Sequence, residues 1–381
     1  MIGADHERRQ AAFREFAEQE IAPNAATFDR TGAVHPDVVS SLAKQGWLGG
    51  AISSEYGGQG WDNLTYGLLC AELGRACSST RSLLTVHSMV AHTIERWGTA
   101  DQKARWLPSL ATGEAIAAFC LTEPETGSDA KSVKAAIDVH GDVCRVTAAK
   151  RWTTFGLLAD VVLVIGRAGD APAAILVETD TPGVTRRPVE GLLGLRAAMV
   201  GDIDMQACEV PAANLVGKPG FGFSHVASTT LDHGRFSVAW GCVGAAEGCL
   251  DASLDHAATR HQFGAPLASH QLVRRLLSDM LTGVRSARLL SQSAADMRDR
   301  KAVGALAETM MAKYHASQVF ARTASDAVQI HGAVGCTPDH PVERHYRDAK
   351  IMQIIEGSDE MQQLTICEFG LKDRRAQRGR P

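Results

Sequence analysis

No run of apolar residues in this 381-residue chain approaches the roughly 20 needed to cross a bilayer, so a membrane-spanning helix is excluded. The opening MIGADHERRQAAFREF has no apolar centre; it reads as a charged helix, not a signal peptide. No CxxC pair occurs among the nine cysteines, which in a chain of this length read as reduced thiols of a cytoplasmic protein. A basic excess is also missing, and the formal net charge of −4 argues against a nucleic-acid partner. There is no GxGxxG after a strand, no Walker loop, no GxSxG and no HExxH. His87/His92, His256/His261 and His340/His345 are spaced five apart, about 140° around a helix, so no metal site is expected.

What is present is ordinary globular composition, 45% apolar and 22% charged, with length for two or three domains. The first 115 residues read as helices. In HERRQAAFREFAEQEI, Ala12, Phe13, Phe16, Ala17 and Ile21 fall at helical spacing before Pro23. HPDVVSSLAKQGWLGG, NLTYGLLCAELGRACSS and STRSLLTVHSMVAHTIERWG continue the pattern. Cys70/Cys77 and Cys242/Cys249, each seven apart, read as small core residues on one helix face. Residues 116–225 change texture. VCRVTAAKRWTTF, ADVVLVIGRA and AAILVETD are short and β-rich, and DIDMQACEV alternates as a half-exposed strand does. Long helices return over about 224–260, 267–299, 302–330 and 340–353, with one more after Ser358, so 226–370 reads as a helical bundle. The expected fold is α+β, mainly α: helical domain, β barrel or sandwich, helical bundle. The tail 371–381, LKDRRAQRGRP, reads as disordered.

Four segments could carry chemistry. AFCLTEPETGSDA (118–130) is an apolar strand entering a turn, and its end offers amides and hydroxyls suited to a flat heteroaromatic ring. KRWTTFG (150–156) places Trp152 beside two threonines, as a core tryptophan or as a wall for such a ring. ATRHQFGAPLASHQLV (258–273) interrupts two helices and offers Arg260 and Gln271, groups suited to a pyrophosphate and an adenosine. The fourth runs from DAVQIHGAVG (326–335) through PVERHYRDAK to KIMQIIEGSDEMQ. Taken alone, its Glu356 reads as a solvated loop carboxylate, with Ser358 a candidate N-cap for the helix that follows.

In this order, LTEPETGSDA, RHQFGAPLASHQ, QIHGAVG and VERHYRDAKIMQIIEGSDEMQ resemble the signatures of the acyl-CoA dehydrogenase family over nearly the whole chain. The resemblance implies a helical N-terminal domain, a central β domain, a C-terminal four-helix bundle, and FAD held between subunits of a homodimer or homotetramer. Residue by residue, it implies that Phe119, Leu121, Thr122, Gly127 and Ser128 contact the flavin, with Trp152 and Thr154 against its ring system. Arg260, Phe263 and Gln271 correspond to the pyrophosphate and adenosine contacts, with Gln329 and Gly332 reaching from the neighbouring subunit, and Ser358 and Glu360 closing the site. Asp232 and Arg235 match positions along the pantetheine arm; Ser128 and Gly357 also face substrate. Glu356 matches the catalytic base, which takes the α-proton of an acyl thioester as a hydride leaves the β-carbon.

Four positions depart from the usual pattern: Phe155 for Asn, Ala333 for Gly, Cys336 for an aromatic, and Ile355 for the Tyr before the base. The last suggests an acyl pocket unlike that of fatty-acid enzymes. SVAWGCVG, SSTRSLLT and IIEGSDEM look more like a subgroup from polyketide and peptide pathways, which acts on short polar acyl groups tethered to an acyl carrier protein, toward hydroxymalonyl- or methoxymalonyl-type extender units. An ordinary short-chain or branched acyl-CoA dehydrogenase, a flavin oxidase or monooxygenase on the same scaffold, and a non-catalytic carrier-binding relative remain alternatives. Electrons would pass to an electron-transfer flavoprotein or to oxygen.

Overall fold

The structure, a computed structural model, describes residues 3–378. Six helices open the chain: α1 (Ala4–Phe16), α2 (Ala25–Thr31), α3 (Pro36–Lys44), α4 (Asn63–Ala76), α5 (Ser78–Trp97) and α6 (Ala100–Thr112). Local chemistry fixes several of their starts. Asp62 accepts the Thr65 amide ahead of α4, and Thr99 and Gln102 form a reciprocal capping box at α6. Of the residues placed on the inner face of the first helix, Phe13, Phe16, Ala17 and Ile21 are buried, but Ala12 is exposed. The chain winds through a π turn at Ala17–Ile21, which rotates the face.

The middle of the chain forms β1 (Ala117–Cys120), β2 (Ala136–His140), β3 (Val143–Thr153), β4 (Val161–Ala168), β5 (Ala171–Glu178), β6 (Val184–Pro188) and β7 (Gly201–Pro211). They make one sheet in the order β1-β4-β2-β3-β7-β6, with β5 on the other side of β4. β1 and β2 run parallel to β4, and the remaining pairs are antiparallel. Val161, Leu163 and Ile165 pack toward α5 and α6, while Val162 and Val164 pack toward β3 and β7. A strand covered on both faces reads as the unbroken apolar run VVLVI. β7 is exposed on one face and alternates as its sequence does: Ile203, Met205, Cys208 and Val210 point inward.

After a π turn at Gly222–Ala227 come α7 (Ser228–Thr259), the two-residue strands β8 (His261–Gln262) and β9 (Ala265–Pro266), α8 (Gln271–Asp299), α9 (Ala305–His331), α10 (Val342–Met352) and α11 (Asp359–Arg378). α7 is the axis, apolar almost all round and buried between α4 and α9. Its approach to α4 needs a bare backbone: a Cβ on Gly244 would lie 1.8 Å from the Ala71 carbonyl oxygen. Cys70, Cys77, Cys242 and Cys249 are all buried. The tail expected to be disordered is helical through Arg378, as an exposed extension of α11; residues 379–381 of that expectation lie outside the described residues. Among the described residues no helix is long and apolar enough to cross a membrane.

Candidate active site

Between α10 and α11 the chain reverses through two consecutive left-handed residues, Glu356 at φ 56° and Gly357 at φ 90°. For a glutamate this conformation costs about 1–2 kcal/mol and needs support from outside. The support is a set of donors to two carbonyls. Arg235 Nε and Gln362 Nε2 each donate to the Glu356 carbonyl at 3.0 Å, and Lys313 Nζ (2.9 Å) and Gln362 Nε2 (3.1 Å) donate to that of Gly357. Lys313 is fully buried and lies 3.8 Å from Asp359, which also accepts from Ser317 and Gln318.

The turn lays the Glu356 side chain on the backbone of α7. A Cβ on Gly234 would stand 2.5 Å from Glu356 Oε2 and 2.8 Å from Met89 Sδ, so only glycine leaves room for the carboxylate there. Oε2 is enclosed and has no hydrogen-bond partner. Burial pushes the carboxyl up to about 7, while the charges of Arg235, Lys313 and Arg81 pull the other way. None of those cations stands within ion-pair distance of it among the described residues. Arg81, 1% exposed, instead donates to Thr85 Oγ1 (2.9 Å) and Met352 Sδ (3.2 Å). With Oε2 enclosed and unpartnered and the carboxyl pushed up to about 7, this half-buried side chain can accept a proton from a ligand.

A second constellation is built on the sheet. β3 leaves its register with β7 between Lys150 and Thr153, and Trp152 takes φ 59° with its side chain turned out, 59% exposed. Arg151 donates its amide to the Thr122 carbonyl (2.9 Å), stitching this bulge to the turn that follows β1. Phe119, Leu121, Thr122 and Thr154 are half-buried along this edge, and Gly127 and Ser128 are exposed. Phe155, buried at φ 54°, donates its amide to Ala198.

Other sequence candidates sit on the β8–β9 hairpin, at the end of α9, on α7 and at the start of α11. Phe263 is 98% exposed at the tip of the β8–β9 hairpin, with Arg260 and Gln271 exposed at its base. Gln329 and Gly332 are exposed at the C-terminal end of α9. No hydrogen bond links either group to the Thr122 or Trp152 segments among the described residues. Asp232 pairs with Arg298, which leaves its Oδ1 enclosed without a partner. Ser358 caps α11 through its hydroxyl at 3.5 Å from the Met361 amide, and Glu360 is exposed beside it. Sequence reasoning passed over Gly234, Lys313 and Gln362. A lysine on the apolar face of α9 was the one available signal, since a buried lysine needs a partner.

Three family models match in register: the acyl-CoA dehydrogenase N-terminal domain over residues 3–114, the middle domain over 118–208 and the C-terminal domain over 220–371. The mitochondrial short-chain specific acyl-CoA dehydrogenase of Mus musculus is 35% identical over 377 residues, covering 97% of this chain and 91% of its own. Among solved structures, FkbI, described as serving biosynthesis of the methoxymalonyl extender unit of the Fk520 polyketide, superposes with a TM-score of 0.88 at 35% identity, over 96% of this chain and 99% of its own. The prolyl acyl carrier protein oxidase AnaB superposes with a TM-score of 0.92 at 27% identity, over 97% and 99%.

Proposed function

Because the chain belongs to the acyl-CoA dehydrogenase family, whose enzymes are FAD-dependent dehydrogenases, we propose that it oxidises an acyl thioester with Glu356 as the base. The observation that carries the reading is the enclosed, unpartnered Oε2 held against Gly234 with its carboxyl near 7. Such a group takes the α-proton as the Cα–H bond breaks, and burial ensures that little solvation is lost at that moment. Arg235 fixes the backbone of the base, and Asp232 and Arg235, one turn apart on α7, are suited to the thioester's polar arm.

The residues present fit FAD. The exposed Trp152 ring offers a face for a flat heterocycle, and a Cβ on Gly127 or Gly332 would meet no atom within 4 Å, leaving space for a close ligand. Phe119, Leu121, Thr122, Ser128 and Thr154 would hold the ring end, with Ser358 and Glu360 closing it. Arg260, Phe263 and Gln271 would hold the pyrophosphate and adenosine end, completed by Gln329 and Gly332 of a second copy in a homo-oligomer. When bound, FAD supplies the acceptor for the two electrons that leave the β-carbon.

The substrate class we favour is a short polar acyl group on an acyl carrier protein in natural-product assembly, with an electron-transfer flavoprotein or oxygen taking the electrons. Ile355 in place of an aromatic before Glu356 supports an acyl group other than an ordinary fatty chain. Similarity to AnaB supports the carrier, and similarity to FkbI supports the extender unit. Similarity to the short-chain acyl-CoA dehydrogenase of Mus musculus supports a second reading, an ordinary CoA-ester enzyme forming a 2,3-enoyl product. Anaerobic flavin bleaching with paired acyl-CoA and acyl-carrier-protein thioesters separates the two. Bleaching by CoA esters alone overturns the carrier reading, and a Glu356→Gln variant that bleaches as fast as wild type overturns the base.

A further inference from the structure

Lys150 and Glu123 form an ion pair sealed inside the sheet domain, 0% and 6% exposed, with Nζ 2.7 Å from Oε1. Burying two charges is costly, and an apolar pair of similar volume is often as stable or more so. The pair therefore asks for a reason beyond stability, and its connections supply one. Lys150 Nζ also donates to the Leu121 carbonyl at 2.9 Å. The Glu123 carboxylate accepts the amides of Lys134 (2.7 Å) and Ala135 (2.9 Å), while the Glu123 backbone closes the tight turn with Thr126. One residue beyond Lys150, the Arg151 amide holds the Thr122 carbonyl, and one residue beyond that is the left-handed Trp152.

The geometry points to Lys150 as a positioning residue that, through Glu123, sets the spacing between Thr122 on the turn and Trp152 on the bulge, and so the shape of the flavin-ring site. The inference rests on the reading that these two segments face the flavin. Neither Lys150 nor Glu123 need touch the cofactor. The ammonium ties Leu121 and Glu123, the residues on either side of Thr122, to β3, and the Arg151 amide ties Thr122 itself. The carboxylate ties the same turn to the start of β2. Without the ammonium, the turn keeps one backbone bond to the bulge, and Glu123 becomes a buried anion with no counter-charge. Both changes let Thr122 and Trp152 move relative to one another. Burial pushes the Glu123 carboxyl up, but the Lys150 hydrogen bond and the two amides outweigh it and hold the carboxyl below its usual range, while burial draws the Lys150 ammonium down against the pull of Glu123.

The test compares Lys150→Met, Lys150→Arg and Glu123→Gln with wild type as full-length holoenzyme. FAD affinity is measured after reconstitution of apoprotein, with the visible spectrum and two-electron potential of the bound flavin. Lys150→Met is expected to weaken FAD binding at least tenfold and to change the shape of the flavin band. Lys150→Arg, which keeps charge and donors, should recover most of both. Glu123→Gln, which keeps an acceptor for the amides, should fall between. If Lys150→Met does not fold, the Arg and Gln variants carry the comparison; wild-type affinity and spectrum in all variants that fold would overturn the proposal. Thr122→Val and Trp152→Ala separate it from the reading beneath it. If these too leave affinity, spectrum and potential unchanged, the two segments do not face the flavin; if they perturb them and the Lys150 variants do not, the pair is structural only.

Discussion

At Glu356 two effects compete: enclosure favours the neutral acid, and three cations favour the anion, with the balance near 7. A base must be the anion, so with Glu356 in the proposed role kcat/KM should fall about tenfold per pH unit below about 7 and level off above it. Glu356→Gln should lose about 10²–10⁴-fold in rate, with no such limb in what remains. The sign for stability is opposite. The folded pKa lies above the ordinary 4.5, so ionisation costs stability as pH rises from about 4.5 through about 7. Glu356→Gln should accordingly be more stable than wild type at about pH 8, on the order of 1–3 kcal/mol, and indistinguishable at about pH 4, read by denaturant titration. Gly234→Ala puts a methyl where the carboxylate lies. It should cost about 1–3 kcal/mol and at least tenfold in kcat, with the flavin spectrum of wild type; an unaltered kcat would show that the base does not rest on α7.

At the scale of elements, the helices and the central strands followed from periodicity, because each buries one face or, for β4, both. The first helix missed by one position at Ala12, which lies beside the buried stripe of α1 and stays exposed, its methyl too small to demand burial. The tail was misread for the reverse reason. DRRAQR carries good helix formers and simply prolongs α11, although its side chains touch little. Truncation after Leu371 should therefore shift stability by less than about 0.5 kcal/mol. A larger loss in the melting transition would show that the extension packs against something, such as a second copy.

At the scale of the molecule, the thiols give a direct check on the packing. Seven of the nine cysteines are buried, and only Cys336 and Cys367 are exposed. A maleimide reagent should label two sites in the native protein and nine after unfolding; more than two native sites would contradict the core. Sequence alone determined the helix–sheet–helix order and singled out Glu356 as the proposed base, because each is carried by contiguous residues with a period or a motif. Only the tertiary structure decided what surrounds Glu356. Gly234, Lys313 and Gln362 reach it from α7, α9 and α11, and Lys150 and Glu123 meet across the sheet. These partners are distant in the chain and individually unremarkable. Their roles arise from enclosure, where a missing Cβ or an unpaired charge has an energy it lacks in water.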